Sequence, residues 1–223
     1  MKIAILGYGK MGKELEKILL KKKYEILLKT NSKSVINLDL LKKCDLAFEF
    51  TNPKNAYNNI KICLKNKVSV VSGTTGWNIR KKNIHNLCLK NKVAFLHASN
   101  FSAGINLIKN IIPEVNRFIE ANCNFKIEIK EKHHKYKIDS PSGTALDLQN
   151  LVKTNKIKIT SDRKEEKQIG CHEIILQSKK EQITIKHQAL NRNLFAAGAI
   201  KYGEKIQNKI GYFNLDLKKN ILN

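Results

Sequence analysis

Two adjacent histidines and a lysine, His133, His134 and Lys137, stand in the segment 125–148, which reads FKIEIKEKHHKYKIDSPSGTALDL. The alternating residues before them predict a strand, and the residues from Thr144 onward predict a helix, so the three side chains lie in a connecting loop, where functional groups concentrate. An imidazole or ammonium group beside a substrate can donate a proton to it. The competing interpretation is a solvated basic loop, because lysine is abundant throughout this chain.

The residues that follow predict an anion-binding helix start. Ser142, Gly143 and Thr144 would expose backbone N–H groups at the helix N-terminus, and the helix dipole favours a negative charge there. We expect Ser142 or Thr144 to cap this helix. Combined with the loop, such a helix start suits a small acidic substrate that must be protonated.

A glycine-rich turn near residue 1 predicts a dinucleotide site. Residues 7–12, GYGKMG, match G-x-G-x-x-G directly after an apolar strand and before a helix, which is the context that the motif requires. Gly7 allows the tight turn, Gly9 lets the backbone approach a pyrophosphate, and Gly12 lets the helix pack closely on the strand. The alternative is a glycine-rich turn that binds nothing.

The end of the second predicted strand bears on the choice of cofactor. It lacks the carboxylate that grips the ribose 2′-hydroxyl of NAD about 20 residues after the glycine motif. Lys29 and Lys33, with the hydroxyl groups beside them, would suit a 2′-phosphate instead, so we expect NADPH to be used at least as well as NADH. The same two lysines are equally consistent with ordinary surface residues.

The elements that must position these residues alternate in the first half of the chain. Strands are predicted at 2–6, 24–29, 46–50, 68–72 and 93–97, and helices at 13–23, 56–67 and 80–91. This rhythm is typical of βαβ units and of a Rossmann-type parallel sheet, that is, an α/β fold.

The second half predicts a smaller α+β domain with an open mixed sheet. Strands are predicted at 125–132, 172–177 and 181–189, and helices at 104–120, 144–152 and 194–208. We expect Pro113 to interrupt or kink the first of these helices, and 153–170 to be loop with a strand fragment. The predicted domains are a dinucleotide-binding domain over 1–102, completed by 193–223, and a substrate-binding and oligomerisation domain over 103–192.

Composition limits the partners. Lysine and arginine number 42 against 19 acidic residues, a net charge of +23. The excess is almost entirely lysine spread along the chain, whereas base reading favours arginine and single-strand binding needs aromatic platforms. A biased composition accounts for this pattern, so we expect no specific nucleic-acid partner.

The cysteines and the first residues bear on compartment. The five cysteines form no CxxC pair and are expected to be reduced and mostly buried, with no metal site. Residues 1–12 predict neither a signal peptide nor a membrane span, so we expect a soluble, cytoplasmic protein without a membrane partner.

The segment EKHHKYKIDSPSGTAL resembles the signature of the dihydrodipicolinate reductase family, E-x-H-H-x-x-K-x-D-x-P-S-G-T-A. The matching positions are Glu131, His133, His134, Lys137, Asp139, Pro141, Ser142, Gly143, Thr144 and Ala145. Further segments are similar to the family at 48–53 (FEFTNP), 73–77 (GTTGW), 98–106 (ASNFSAGIN) and 187–199 (HQALNRNLFAAGA). The chain departs from the family in having Ala197 where asparagine is common, and in a shorter stretch before 181–189.

The resemblance implies NADPH- or NADH-dependent reduction of a cyclic unsaturated dicarboxylate to tetrahydrodipicolinate, in diaminopimelate and lysine biosynthesis, by a homo-oligomer, commonly a tetramer. His133 would be the catalytic histidine and Lys137 the proton donor. His134 would bind a substrate carboxylate together with Ser142, Gly143 and Thr144. Counting Lys29, the expected cofactor-binding residues are Gly7, Tyr8, Gly9, Lys10, Met11, Gly12, Lys29, Gly73, Thr74, Thr75, Ala98, Ser99, Asn100 and Phe101.

Two other functions compete with this one. A semialdehyde dehydrogenase needs a cysteine nucleophile at a helix start, and none of the five cysteines has that setting. A non-enzymatic NAD(P)-sensing or nucleic-acid-binding protein on the same α/β domain would not need His133, Lys137 and the helix start together.

Among the remaining residues, we expect His85 and His172 at the surface and Trp77 in packing.

Overall fold

The computed structural model describes residues 1–77, 80–154 and 157–215, which divide into two compact units. The first unit comprises Met1–Phe101 and the chain from Phe195 onward, and the second comprises Ser102–Leu194. The predicted class, a Rossmann-type parallel sheet with a smaller α+β unit and an open mixed sheet, is confirmed. Part of the predicted C-terminal segment, 216–223, lies outside the described residues.

The helices and strands follow one another in the order that the periodicity indicates. They are β1 (Lys2–Leu6), α1 (Lys10–Lys21), β2 (Glu25–Thr30), α2 (Leu38–Leu41), β3 (Leu46–Glu49), α3 (Pro53–Lys65), β4 (Ser69–Ser72), α4 (Lys81–Asn91), β5 (Ala94–His97), α5 (Ala103–Ala121), β6 (Lys126–Lys132), α6 (Gly143–Leu151), β7 (Ile157–Asp162), β8 (Cys171–Gln177), β9 (Gln182–Gln188), α7 (Asn193–Lys205) and β10 (Gly211–Asn214).

The first unit is built on a six-stranded sheet in the order β10-β5-β4-β3-β1-β2, with parallel pairing throughout. Alternate residues of β1 enter two different cores: Ile3 and Ile5 pack with Leu15 of α1, while Ala4 packs with Ile60 of α3. Burial on both faces explains the continuous apolar strands, which are typical of parallel sheets. The loops that leave the carboxyl ends of these strands therefore share one edge of the sheet.

The second unit has a four-stranded sheet in the order β7-β6-β8-β9. β6 pairs parallel with β7 and antiparallel with β8, and β8 pairs antiparallel with β9. Ile129 and Ile174 on one face pack in a core with Ile112 of α5 and Leu148 of α6. In the part of the chain that the structure describes, no helix is long and apolar enough to cross a bilayer.

Four elements differ from expectation. The predicted loop 153–170 contains a full strand, β7, which pairs with β6. α2 and β10 were not predicted: α2 is a single turn, too short for helical periodicity, and β10 has only Tyr212 and Phe213 between Gly211 and Asn214, so it lacks the apolar run of the other strands. α5 runs through Pro113 without interruption; the lost hydrogen bond costs about 3 kcal/mol, which burial of Ile105, Ile108 and Ile112 offsets.

Candidate active site

The glycine turn between β1 and α1 has two glycines that the fold requires and one that it does not. Gly7 has φ +97°, and a Cβ on it would lie 2.1 Å from the carbonyl oxygen of Phe50. A Cβ on Gly12 would lie 2.5 Å from the carbonyl oxygen of Gly7. By contrast, no described atom lies within 4 Å of a Cβ built on Gly9, so at Gly9 the absent side chain leaves open space for a ligand.

The backbone amides of this turn are used unequally. The N–H groups of Gly7 and Tyr8 donate to the carbonyl oxygen of Thr30, at 3.0 and 2.7 Å. α1 then begins at Lys10 without a side-chain cap. Its first-turn amides, which have no intrahelical acceptor in any helix, therefore lack a capping side chain as well. An uncapped helix start of this kind attracts phosphate through its N–H groups and its dipole.

A cleft of about 850 Å³ opens beside the glycine turn within the first unit. Tyr8, Asn31 and Thr51 contribute to its walls from the loops after β1, β2 and β3. Its volume falls in the usual range for small-molecule sites. The predicted residues 73–75 and 98–101 do not line this cleft; they lie in the loops after β4 and β5.

Lys29, predicted to contact the cofactor, has a partner within the first unit. Its ammonium lies 2.9 Å from a carboxylate oxygen of Glu16 and 4.9 Å from the centroid of the Tyr8 ring. The Tyr8 hydroxyl also donates to Glu16. Lys29 thus fixes the Tyr8 ring at the turn. Lys29 does not line the cleft, whereas Asn31 and Ser32 do.

A buried carboxylate that the sequence reasoning missed joins two of the predicted loops. Glu49, at the end of β3, accepts hydrogen bonds from the hydroxyls of Ser72 at 2.6 Å and Thr74 at 3.1 Å, and from the N–H of Thr51 at 3.1 Å. It is fully buried. The signal in the sequence was a single charge inside the apolar run LAFEF, which implies a carboxylate held by donors.

The loop after β5 is held by close backbone contact. Phe101 packs its ring 5.9 Å from that of Phe50. A Cβ on Gly198 of α7 would lie 2.0 Å from the carbonyl oxygen of Phe101. Trp77 is confirmed in packing, with ring contacts to Phe95 and His97. The fold thus explains the glycine of the 194–199 segment without reference to a ligand.

In the second unit, polar residues form a row across all four strands at one end of the core face. They are Ser161, Glu131, His172 and His187, directly opposite one another in β7, β6, β8 and β9. The row beside it consists of isoleucines only: Ile159, Ile129, Ile174 and Ile185. The expectation that His172 lies at the surface was wrong; it is 3% exposed, because strand alternation turns it toward the core.

Glu131 is the centre of this polar row. It is fully buried and hydrogen-bonded to Nδ1 of His133, to the Arg163 guanidinium at 2.5 Å and to the N–H of Ser142 at 3.3 Å. Burial raises the pKa of this carboxyl, but hydrogen bonds from His133, Arg163 and Ser161 outweigh it and lower the pKa to about 2. Glu131 is therefore an ionised acceptor at neutral pH.

Ser142 links the polar row to the start of α6. Its hydroxyl oxygen accepts the N–H of Ala145 at 3.2 Å, which confirms Ser142 as the helix cap. The same oxygen lies 3.2 Å from Nε2 of His172, whose ring meets that of His133 edge-on at 5.1 Å. Burial, followed by the neighbouring His133, lowers the pKa of His172 to about 3, so His172 is neutral beside the serine hydroxyl at neutral pH.

Lys137 is tied to the same helix start by Asp139. The Lys137 ammonium lies 2.7 Å from one oxygen of Asp139, and the other oxygen accepts the N–H of Gly143 at 3.3 Å. Burial raises the pKa of Asp139, but the Lys137 hydrogen bond and charge outweigh it and lower the pKa. His133, Lys137, Ser142 and Gly143 therefore meet around one helix terminus.

Two family models together match almost all of the chain. The model for the dihydrodipicolinate reductase N-terminus matches residues 1–101, and that for the C-terminus matches residues 104–217. The chain belongs to the dihydrodipicolinate reductase family.

Relatives in this family match over most or nearly all of the chain. The chain is 35% identical over 240 residues to the 4-hydroxy-tetrahydrodipicolinate reductase of Christiangramia forsetii, covering 99% of this chain and 100% of that one. It is 35% identical over 220 residues to the enzyme of Buchnera aphidicola subsp. Cinara cedri, covering 85% and 79%. The dipicolinate-bound dihydrodipicolinate reductase of Paenisporosarcina sp. TG-14 shares the fold, with a TM-score of 0.74, 23% identity and coverage of 96% and 97%.

Among the described residues of this reductase-family chain, one group has the composition of a metal site. Glu131, His133 and His172 bring ligand-type atoms within 4.8 Å of one another. Both oxygens of Glu131 already accept hydrogen bonds, one of them from the Arg163 cation. A guanidinium in this position opposes a second cation, so the group is better described as a hydrogen-bonded network.

The neutral, buried His172 predicts a pH-dependent stability. Between about pH 6.5 and its folded pKa of about 3, the unfolded chain carries a proton at this residue that the folded chain lacks, so stability falls as the pH falls. His172→Gln should remove about 2 kcal/mol of the loss in unfolding free energy between about pH 6.5 and 5. Urea unfolding followed by circular dichroism at several pH values measures this. His85→Gln, at an exposed position, is the control, and an unchanged slope for His172→Gln would contradict the assignment.

Proposed function

We propose that this chain reduces 4-hydroxy-tetrahydrodipicolinate to tetrahydrodipicolinate in diaminopimelate and lysine biosynthesis. The reaction takes a hydride from NADPH or NADH and a proton, and releases NADP⁺ or NAD⁺ and water. One observation carries the proposal: His133 and Lys137, each bonded to a buried or half-buried carboxylate, meet at the first turn of α6. Proton donors beside an anion-binding helix start suit a dicarboxylate that must be protonated as it is reduced.

The proposed roles follow from the chemistry of each group. Hydride addition leaves an electron-rich carbon on the substrate, and Lys137 is the proton donor to it, with His133 as the catalytic histidine. His134, Ser142, Gly143 and Thr144 bind a substrate carboxylate. The N–H of Gly143 is already bonded to Asp139, so a substrate carboxylate that binds at Gly143 shares this donor with Asp139.

The cofactor would be held by the first unit. When bound, NADPH or NADH supplies the hydride. The residues proposed to hold the cofactor are those of the turn 7–12 and of the loops 73–75 and 98–101. The uncapped start of α1 and the open space at Gly9 suit the pyrophosphate. The cleft beside Asn31 suits the ribose end of the molecule.

An NADPH-oxidation assay with freshly generated substrate tests the proposed function. We expect oxidation that depends on substrate and on enzyme concentration. No turnover, together with salt-dependent binding to duplex DNA, would instead favour a non-enzymatic protein on the same α/β unit.

Lys137→Ala should lower kcat by about 10²–10⁴-fold, the usual contribution of a placed acid, and leave cofactor affinity intact. Steady-state kinetics with a separate cofactor titration measures the two effects. The matched control is Lys135→Ala, two residues away, where an exposed lysine pairs with Glu166. Near-normal turnover of the Lys137 variant would remove this residue from the mechanism.

The cofactor preference can be measured directly. Because Thr30, Asn31 and Ser32 at the end of β2 include no carboxylate, we expect kcat/KM with NADPH to equal or exceed that with NADH. Asn31→Asp should shift the ratio toward NADH by adding a ribose-binding carboxylate and repelling a 2′-phosphate. A strong NADH preference of the natural chain would contradict this expectation.

We further propose that the chain forms a homo-oligomer, a tetramer as the family resemblance implies, through the open face of the second unit's sheet. Outward-facing residues include Lys130 on β6 and Thr184 on β9, and β9 is an edge strand of this sheet. Edge strands favour association. Sedimentation equilibrium should give a mass above the 25.5 kDa of one chain, and a monomer at micromolar concentration would refute it.

Four buried, unpaired cysteines support a reducing compartment, the cytoplasm.

A further inference from the structure

We propose that Glu131 and Asp139 are paired positioning residues, each holding one catalytic side chain, His133 or Lys137, beside the start of α6. The inference rests on the proposed function for the roles of His133 and Lys137. It adds two carboxylates that do not themselves transfer hydride or proton. Each makes the same pair of contacts, one to a side chain that would do the chemistry and one to a backbone N–H of the helix start.

The first half of the pair is the Glu131–His133 contact. An ionised carboxylate can only accept hydrogen bonds, so its contact requires a proton on Nδ1 of His133 and leaves Nε2 as the nitrogen available to a substrate. Gly170 lies beside that nitrogen, since a Cβ there would come within 3.1 Å of Nε2. The other Glu131 oxygen accepts the N–H of Ser142, so one carboxylate sets both the ring and the helix cap.

The second half is the Asp139–Lys137 contact. A lysine side chain has many rotamers, and an ion pair at 2.7 Å restricts it to the neighbourhood of the helix start. The N–H of Gly143 fixes the other oxygen of the same aspartate. Lys137 is thereby kept beside the amides proposed to bind a substrate carboxylate, although 24% of its side chain is exposed.

The two contacts differ in how they are built, which makes them separable by experiment. Glu131 is on β6, fully buried and balanced by Arg163, whereas Asp139 is in the loop before α6 and partly exposed. Removing the charge of Glu131 therefore also disturbs a buried ion pair. Removing that of Asp139 does not, so Asp139→Asn tests positioning with less risk to folding.

Double-mutant cycles separate positioning from a general structural role. Glu131→Gln and Asp139→Asn should each lower kcat by at least about 10-fold while the KM for NADPH changes less than about twofold. In a His133→Ala background, Glu131→Gln should have little further effect, and in a Lys137→Ala background the same holds for Asp139→Asn. The crossed combinations, such as Glu131→Gln with Lys137→Ala, should show much weaker coupling.

Glu204→Gln is the control, because it removes a partly exposed carboxylate that pairs with Lys22 in the first unit, away from the proposed site. It should leave kcat unchanged. If the fold-decreases in kcat of the two single variants multiply fully in the double variant of each pair, the proposal is overturned. A residue with only a structural role lowers kcat whether or not its neighbour is present. If Glu131→Gln does not fold, the Asp139→Asn cycle decides the outcome by the same criterion.

An NMR measurement tests the Glu131 contact without turnover. The ¹⁵N shifts of His133 should report a proton on Nδ1 in the natural chain and a changed tautomer population in Glu131→Gln. Unchanged ring shifts would overturn the positioning role of Glu131, even if the natural chain lacked reductase activity. An active natural chain whose Glu131 and Asp139 variants retain normal kcat would overturn the inference and leave the proposed function standing.

Discussion

A fully buried carboxylate organises the second unit. Glu131 occupies the core face of β6, where the preceding inward positions are Ile127 and Ile129. An uncompensated charge there would cost several kcal/mol, so the surrounding structure must supply donors. Arg163, Ser161, His133 and the N–H of Ser142 do so. The course of the loop after β7, the orientation of the histidine and the position of the α6 start all follow from satisfying this one group.

In the first unit, the main constraint is the space available to the loops at one edge of the sheet. Parallel pairing brings the carboxyl ends of β1, β3, β4 and β5 to one edge of the sheet, so the loops that follow compete for space. Gly7 and Gly73 relieve this competition, since a Cβ on either would lie little more than 2 Å from Phe50. Glu49 then joins two of these loops through hydroxyl groups. A glycine loop and a buried acid together make an edge on which a dinucleotide can lie.

The periodic elements were predictable because their periodicity is set by burial. The strands of the parallel sheet read as apolar runs, and α5 and α6 as helical spacing, and both expectations were confirmed. β7 was read as a fragment because its residues alternate among many charges, and its pairing with β6 is non-local. His172 was misplaced because its position in the predicted strand 172–177 was not counted: it alternates with the core residues Ile174 and Leu176, and so faces the core opposite Glu131. Counting alternation in β6 as far as Glu131 would have indicated an inward charge.

Because basic residues far outnumber acidic ones in this chain, the few carboxylates with limited solvent access determine which cations have a defined position. With 42 basic residues and 19 acidic ones, most lysines must remain in solvent, and a carboxylate is the scarcer partner. Exposed pairs such as Lys17–Glu14 contribute little. Glu131 and Asp139 instead lie where solvent is limited, and each also binds a backbone amide of α6. A cation in this protein therefore gains a defined position from the carboxylate it meets, which explains how Lys137 can have a specific place among so many lysines.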